Sequence, residues 1–276
     1  RRAGATPEVR VVAFSRNLGF AAAANEGIAR TRAPYVLLLN NDAVLAPDYV
    51  ARLAARLALD ERLGAVQGLV ETADGSRVDS AGLDWNLRRE AVPLLHGTDP
   101  NLVLKDVFEV SGVAATAALY RRAALEKVGG ASGDVFDGSF FAYYEDVDLA
   151  LRLARAGWRF ACDGEAVARH EGSRTGARTP WKRALWLSRN RWRTLFRNFD
   201  VRLVRREASL LLRADVAHAR SLGWKAPFLL LSVWPMLPFV ALEPWGPASG
   251  APLLAEFPRP LGRPRRSGGA SIPLAG

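Results

Sequence analysis

The chain has 276 residues and a mass of 30.0 kDa, 49% hydrophobic and 24% charged, enough apolar material for one large domain with a helical annex. That balance excludes a disordered chain, a collagen-like repeat and a polytopic membrane protein. The single cysteine, Cys162, excludes a disulfide-stapled secreted scaffold and points to the cytoplasm. Net charge is +10 with a pI near 10.5, yet only four of the 38 basic residues are Lys. An arginine bias spread through an Ala-, Leu- and Gly-rich chain reads as genome composition, so nucleic acid is not an expected partner.

The chain opens at Arg1 with no apolar leader, so no signal peptide is expected. Val9 to Phe14 is β-branched and predicts a strand, and Gly19 to Arg30, rich in Ala, predicts a helix. Tyr35 to Leu39 is a continuous apolar run, as in a strand buried on both faces, and it ends at Asn40-Asn41-Asp42. Pro47 to Leu59 predicts a helix with Pro in its first turn, and Ala65 to Glu71 another strand. Thr72 to Asp106 is a long polar excursion with short strands. Val107 to Tyr120 is β-rich but interrupted at Ser111-Gly112, and Arg121 to Val128 is a short helix closed by Gly129-Gly130.

Glu145 to Ala156 is amphipathic and helical, followed by strands over Trp158 to Cys162 and Ala166 to His170. Two basic helices are expected next, Trp181 to Phe199 and Val201 to Leu222. Ala226 to Leu242 carries no charge across 17 residues but contains Pro227, Pro235 and Pro238, which favours a buried or interfacial helical hairpin over a membrane span. The expected organisation is an α/β domain over 1–198, a helical, membrane-associated annex over 199–245 and a disordered Pro/Gly/Arg-rich tail over 246–276.

Four clusters can carry chemistry. Asp42 stands at the carboxyl end of a buried strand, where open α/β sheets bind ligands, and its carboxylate can take a hard cation bridged to diphosphate oxygens. The same residue can equally cap the helix near Pro47. Glu145, Asp146 and Asp148 put three acids into four positions at a helix start behind an aromatic cluster. Acids there complement the helix dipole, but the three cannot all point one way, which leaves one of them free to face a cleft as a general base. His170, at a strand end 24 residues after Asp146, is either an ordinary satisfied histidine or a further metal ligand. Asn17-Leu18-Gly19-Phe20 and Asn25-Glu26-Gly27 offer glycines for close backbone approach and Asn amides that can reach a nucleotide, although alone they read as a strand-to-helix turn.

Taken together and in order, these segments resemble the family 2 glycosyltransferases, inverting nucleotide-sugar enzymes of GT-A fold, and in particular their bacterial rhamnosyltransferase-like branch. The segment Asn17 to Ile28 is similar to the N-x-G-F-x-x-A-x-N-x-G motif of that branch. Leu37 to Leu45 stands in the place of its D-x-D-type metal motif, with Asn40 where many members have the first Asp. Val110 to Gly130 resembles the acceptor-side strand and helix, Phe140 to Arg159 the E-D-x-D-L base motif, His170 with Ser173 the H-x-x-S element, and Ser188-Arg189-Asn190 the R-N helix start.

The resemblance implies a mixed sheet flanked by helices, with Mg2+ or Mn2+ as cofactor held by Asp42 and His170. It implies Asp146 as general base beside Glu145. Asn17, Gly19, Phe20, Asn25, Asn40, Asn41 and Arg189 fall on the donor side, and Gly112, Tyr144 and Asp148 on the acceptor side. The implied partners are a nucleotide-diphosphate sugar, with rhamnose as the sugar of that branch, and a glycan or lipid-linked acceptor in cell-envelope synthesis. A basic face of Arg183, Arg189, Arg191, Arg193 and Arg197 would rest peripherally on the anionic inner face of the cell membrane. Family members begin with two further strand-and-loop units, roughly 50 to 60 residues, so the domain is expected to be truncated at its N-terminus. The contrasting reading is a non-catalytic basic module, binding membrane or nucleic acid, that keeps a transferase-like shell.

Overall fold

The computed structural model describes residues 9–130, 133–172, 180–220 and 252–258. A helix α1 (Phe20–Ala29) leads into strand β1 (Tyr35–Leu39), a short β2 (Ala43–Leu45) and helix α2 (Tyr49–Leu59). Then come β3 (Leu63–Thr72), β4 (Val78–Ser80), the hairpin β5 (Leu83–Trp85) and β6 (Ala91–Pro93), β7 (Val107–Val110), β8 (Ala117–Arg121) and α3 (Arg122–Val128). Helix α4 (Glu145–Arg155), strand β9 (Arg159–His170), and helices α5 (Pro180–Asn198), α6 (Val201–Arg206) and α7 (Ala208–Arg220) complete the described fold.

The sheet runs β1-β8-β3-β9-β2, with β4 beside β3 and β7 beside β9. The β3–β9 pair is parallel and the other ladders are antiparallel, so the sheet is mixed. Strict alternation along the strands divides its two faces. Val36, Leu38, Ala118 and Tyr120 pack under α1, α3 and α4, while Tyr35, Leu37, Ala117 and Leu119 face α2. Helix α2 docks through Tyr49, Leu53 and Leu57, four residues apart and fully buried. Each such leucine contributes about 2 kcal/mol of burial.

Helix α4 is buried on two sides, because Leu149 and Leu153 face the sheet while Val147 and Leu151 face α5 and its neighbours. This makes α4 the wall between the sheet and the helical layer. The element at its start is therefore fixed by both.

The sequence expectations hold for the main strands and helices, with three instructive departures. Val9 to Phe14 forms no strand: Val9 and Val11 are exposed, and without a partner ladder β-branched residues do not hold a strand. The segments Trp158 to Cys162 and Ala166 to His170 join as one strand, β9, with a register shift against β3 between Gly68 and Leu69. The expected single helix from Val201 breaks at Glu207 into α6 and α7.

Part of the tail expected to be disordered is docked. Residues 252–258 lie on the α4–α5 layer, where Asp200 N donates to Leu254 O (2.9 Å), Leu254 N to Asn198 O (2.9 Å), and Phe257 stacks on Phe199 with centroids 4.4 Å apart. The remaining tail and the uncharged stretch 226–242 lie outside the described residues. Among the described residues, no helix is long and apolar enough to cross a membrane.

The arginine-rich face is also corrected. Arg191, Arg193 and Arg197 of α5 point inward and are buried. Arg191 pairs with Asp215 at 3.0 Å, Arg193 donates to Ser139 O at 2.9 Å, and Arg197 pairs with Asp137, the last two guanidinium groups lying over the Phe140 ring. Buried charges persist only when paired in this way, so these three cannot rest on a membrane.

Candidate active site

The register of β2 on β9 sets Ala43 opposite His170, which brings Asp42, one residue earlier, to the end of β9. Glu171 N donates to Asp42 O at 3.0 Å, and Asn40 N, on the same turn, donates to Thr116 O at 2.9 Å. His170 Nε2 consequently lies 3.2 Å from Asp42 Oδ1, and its Nδ1 lies 2.9 Å from Asp79 Oδ2. Asp79 sits on β4, reaching His170 of β9 across the intervening strand β3. Sequence reading missed it: it lies inside the polar excursion, 91 residues from its partner, where no periodicity singles out an acid.

The hydrogen bond with Asp79 raises the pKa of the His170 imidazole above its ordinary value, against an opposing effect of burial, and Asp42 adds to the rise. Assigning the Nδ1 proton to the Asp79 bond leaves the neutral ring a lone pair on Nε2, directed toward Asp42. One imidazole nitrogen and one carboxylate oxygen are a partial donor set for Mg2+ or Mn2+, ions that take their other positions from water and substrate phosphate. Among the described residues no group of three side chains forms a closed metal cage. The residues fit a cation shared with a diphosphate.

The second pair stands at the start of α4. Asp146 Oδ1 accepts from its neighbour Val147 N (2.8 Å) and Oδ2 from Ala115 N (3.3 Å). Glu145 is buried, and its Oε2 has no hydrogen-bond partner among the described residues. Burial, with the Asp146 charge alongside, pushes the Glu145 carboxyl up to about 8, while burial also raises Asp146. Of the two, Glu145, buried with an unpartnered oxygen, is the one that favours its protonated form. Asp146, with two backbone donors to stabilise its anion, is the carboxylate that ionises and gains basicity from its surroundings.

Asn17 Oδ1 accepts from Gly19 N at 2.9 Å, and Phe20 N donates to Phe141 O at 2.7 Å. Gly19 has φ +85°, and a Cβ there would lie 2.4 Å from Phe141 O, so only glycine allows this loop to rest on the segment before α4. A cleft of about 470 Å³ results. It is lined by Asn17, Gly19, Phe20, Asn40, Asn41, Asp42 and His170 together with Tyr144, Glu145 and Asp146. Phe141, Tyr143 and Trp186 add an aromatic wall that the sequence reading did not assign, with Trp186 4.9 Å from Phe141, centroid to centroid.

Four expected site residues lie elsewhere. The Asn25 side chain is spent on the backbone of Val135 and Phe136. Gly112 is covered by Ala150 and Leu83. Asp148 is buried, bonded to Arg152 (2.8 Å) and Asn198 (2.8 Å), because its place in α4 turns it from the cleft toward α5. Arg189 donates to the carbonyls of Ser139 (3.0 Å) and Phe140 (3.2 Å) and does not line the cleft. Ser173 lies outside the described residues.

A mixed sheet flanked by helices, its strand ends opening onto a cleft with an Asp-His pair and a buried acidic pair, has the GT-A architecture found in glycosyltransferases. Residues 2–129 match the family model described as Glycosyl transferase family 2. An N-acetylglucosaminyl-diphospho-decaprenol L-rhamnosyltransferase of Mycobacterium tuberculosis is 28% identical over 196 residues, covering 63% of this chain. The chain spans 62% of the length of that relative. An uncharacterised protein of Sinorhizobium fredii is 29% identical over 206 residues, 69% of this chain and 22% of its own length. Among solved structures, GalNAc-T7 with UDP, GalNAc and Mn2+ aligns with a TM-score of 0.50 at 13% identity, over 68% of this chain and 36% of that one, a likeness of fold. The chain is thus similar to the family 2 glycosyltransferases over residues 2–129, and to a rhamnosyltransferase over a longer stretch.

Proposed function

We propose that the cleft moves a sugar, with inversion, from a nucleotide-diphosphate donor to a hydroxyl of a lipid-linked or polymeric acceptor in cell-envelope glycan synthesis. The observation that carries this reading is that one cleft joins the Asp42–His170 pair to the Glu145–Asp146 pair. Asn17, Gly19, Phe20, Asn40 and Asn41 would receive the nucleotide side, with Asp42 and His170 holding Mg2+ or Mn2+ against the diphosphate. When bound, that ion would offset charge on the departing diphosphate. Asp146 would take the proton of the acceptor hydroxyl as its oxygen bonds to the sugar C1 and the C1–O bond to the diphosphate breaks. Neutral Glu145 would keep a second negative charge away from the incoming hydroxyl.

Rhamnose as the sugar and a prenyl-diphosphate-linked acceptor are proposed by analogy with the mycobacterial relative, and a thymidine diphosphate donor from the motif resemblance to the rhamnosyltransferase-like branch. Exposed Trp181, Lys182 and Arg183 at the start of α5 support peripheral contact with an anionic membrane. The inward-turned Arg191, Arg193 and Arg197 take away the surface on which a purely basic binding module would rest.

The test is turnover of dTDP-rhamnose with N-acetylglucosaminyl-diphospho-decaprenol and Mn2+. Inverted anomeric configuration in the product, and loss of turnover in Asp146→Asn, are expected. Retained configuration, or an Asp146→Asn variant with full turnover, would refute the mechanism.

A further inference from the structure

The segment entering α4 holds three aromatic residues in a backbone region that L side chains avoid: Phe141 (φ 65°), Tyr143 (φ 69°) and Tyr144 (φ 70°). Phe141, with ψ −62°, closes a strained γ-turn in which Ala142 N donates to Phe140 O at 2.8 Å. Such residues cost on the order of 1 kcal/mol or more each and persist only where surroundings over-determine them. Here the surroundings converge on one side chain. Asn190 of α5 is fully buried, and its Nδ2 donates to Phe140 O (2.9 Å), Ala142 O (2.9 Å) and Tyr143 O (2.8 Å). An amide has two N–H groups, so one of them is shared between two of these carbonyls. The Asn190 Oδ1 in turn accepts from Arg189 Nε at 3.0 Å, which fixes which way the amide points.

The stapled segment is fastened on its other side to the donor-side loop, through Phe20 N and Phe141 O, and runs directly into Glu145 and Asp146. We propose that Asn190 is a positioning residue for the transfer reaction: by holding Phe140 to Tyr143 in this strained path, it sets the Asp146 carboxylate against the donor-side loop. The inference rests on Asp146 being the base. A misplacement of about 1 Å in such a constellation is enough to cost a large part of the rate while leaving the nucleotide's own contacts in place.

The test compares Asn190→Ala with Asn190→Asp, which keeps the volume and removes the donors, in the full chain. Hydrogen exchange is read first because it needs no turnover. Amides of Phe20 and Ala142 to Val147 should exchange at least about tenfold faster in both variants, with β3 and β8 unchanged. With dTDP-rhamnose and the prenyl-linked acceptor, kcat should fall about tenfold or more while the donor KM stays within about threefold. In an Asp146→Asn background, Asn190→Ala should add almost no further loss, since the group it positions is gone. Unchanged exchange in the segment, acceleration spread evenly through the core strands, losses that multiply in the double variant, or failure of both Asn190 variants to fold would each overturn the proposal. An Asp146→Asn variant with normal kcat would instead sink the base assignment, and the exchange result would still decide whether Asn190 holds the segment.

Discussion

His170 and Asp79, 91 residues apart in the chain, meet with Nδ1 2.9 Å from Oδ2, and this contact turns the other ring nitrogen toward Asp42. A carboxylate behind a ligating imidazole fixes its ring and tautomer. Asp79→Asn is therefore expected to weaken Mn2+-dependent nucleotide binding by about tenfold to a hundredfold with little change in metal-free affinity. Titration calorimetry with and without Mn2+ reads this directly, and an unchanged Mn2+ effect would remove Asp79 from the site.

Gly19 carries the donor-side loop across Phe141 at a positive φ, with no room for a Cβ. Gly19→Ala should cost about 2 kcal/mol or more of unfolding free energy, combining backbone strain with the lost Phe20–Phe141 hydrogen bond. Urea denaturation measures it. A variant as stable as the parent would mean that the loop does not sit on the segment before α4.

The buried Glu145 makes a pH prediction whose sign follows from its carboxyl being pushed from 4.5 up to about 8 in the folded chain. Between those values the folded chain keeps a proton that the unfolded chain has released, so stability falls as pH rises and the loss is complete beyond about pH 8. Glu145→Gln abolishes this slope. The variant should match the parent near pH 4 and exceed it at pH 7 by on the order of 3 kcal/mol. Parallel stability curves for the two would contradict the buried, neutral carboxyl.

Asp146 and Asp148, two positions apart on α4, should separate cleanly. Asp148 and Arg152 form a buried pair, and Arg152 also donates to the carbonyls of Val128 (2.8 Å) and Val135 (2.7 Å). Asp148→Ala leaves Arg152 a buried charge without its carboxylate and should destabilise by roughly 3–5 kcal/mol. Asp146→Asn should lower kcat by about a hundredfold to ten-thousandfold, leaving a measurable residual rate, without destabilising. If the Asp148 variant were stable but inactive, the two roles would have to be exchanged.

These residues show how far the sequence could be read. Tyr35 to Leu39 and the amphipathic start at Glu145 were legible because local periodicity carries them, and the acids behind each gave Asp42 and Asp146 as candidates. Asp79 was not legible, since its meaning comes from β4 and β9 pairing on opposite sides of β3. Nor was the inward face of α5: an arginine run reads as a solvated face until Asp137, Asp215 and the Phe140 ring come from distant segments to meet it. Asp148 misled for the opposite reason, as proximity in a motif concealed the helical rotation that separates it from Asp146. Asn190 appeared in the sequence only as part of a helix start, because the carbonyls it gathers belong to a loop whose strained path has no sequence period.

The central claim, that Asp42 belongs to a metal-assisted nucleotide-diphosphate site, is tested most directly by calorimetric titration of UDP and dTDP into the full chain and its Asp42→Ala variant, with and without Mn2+. The account predicts nucleotide binding that Mn2+ strengthens by at least about tenfold in the parent and not in the variant. Binding that is equal in the two proteins and indifferent to Mn2+ would contradict it.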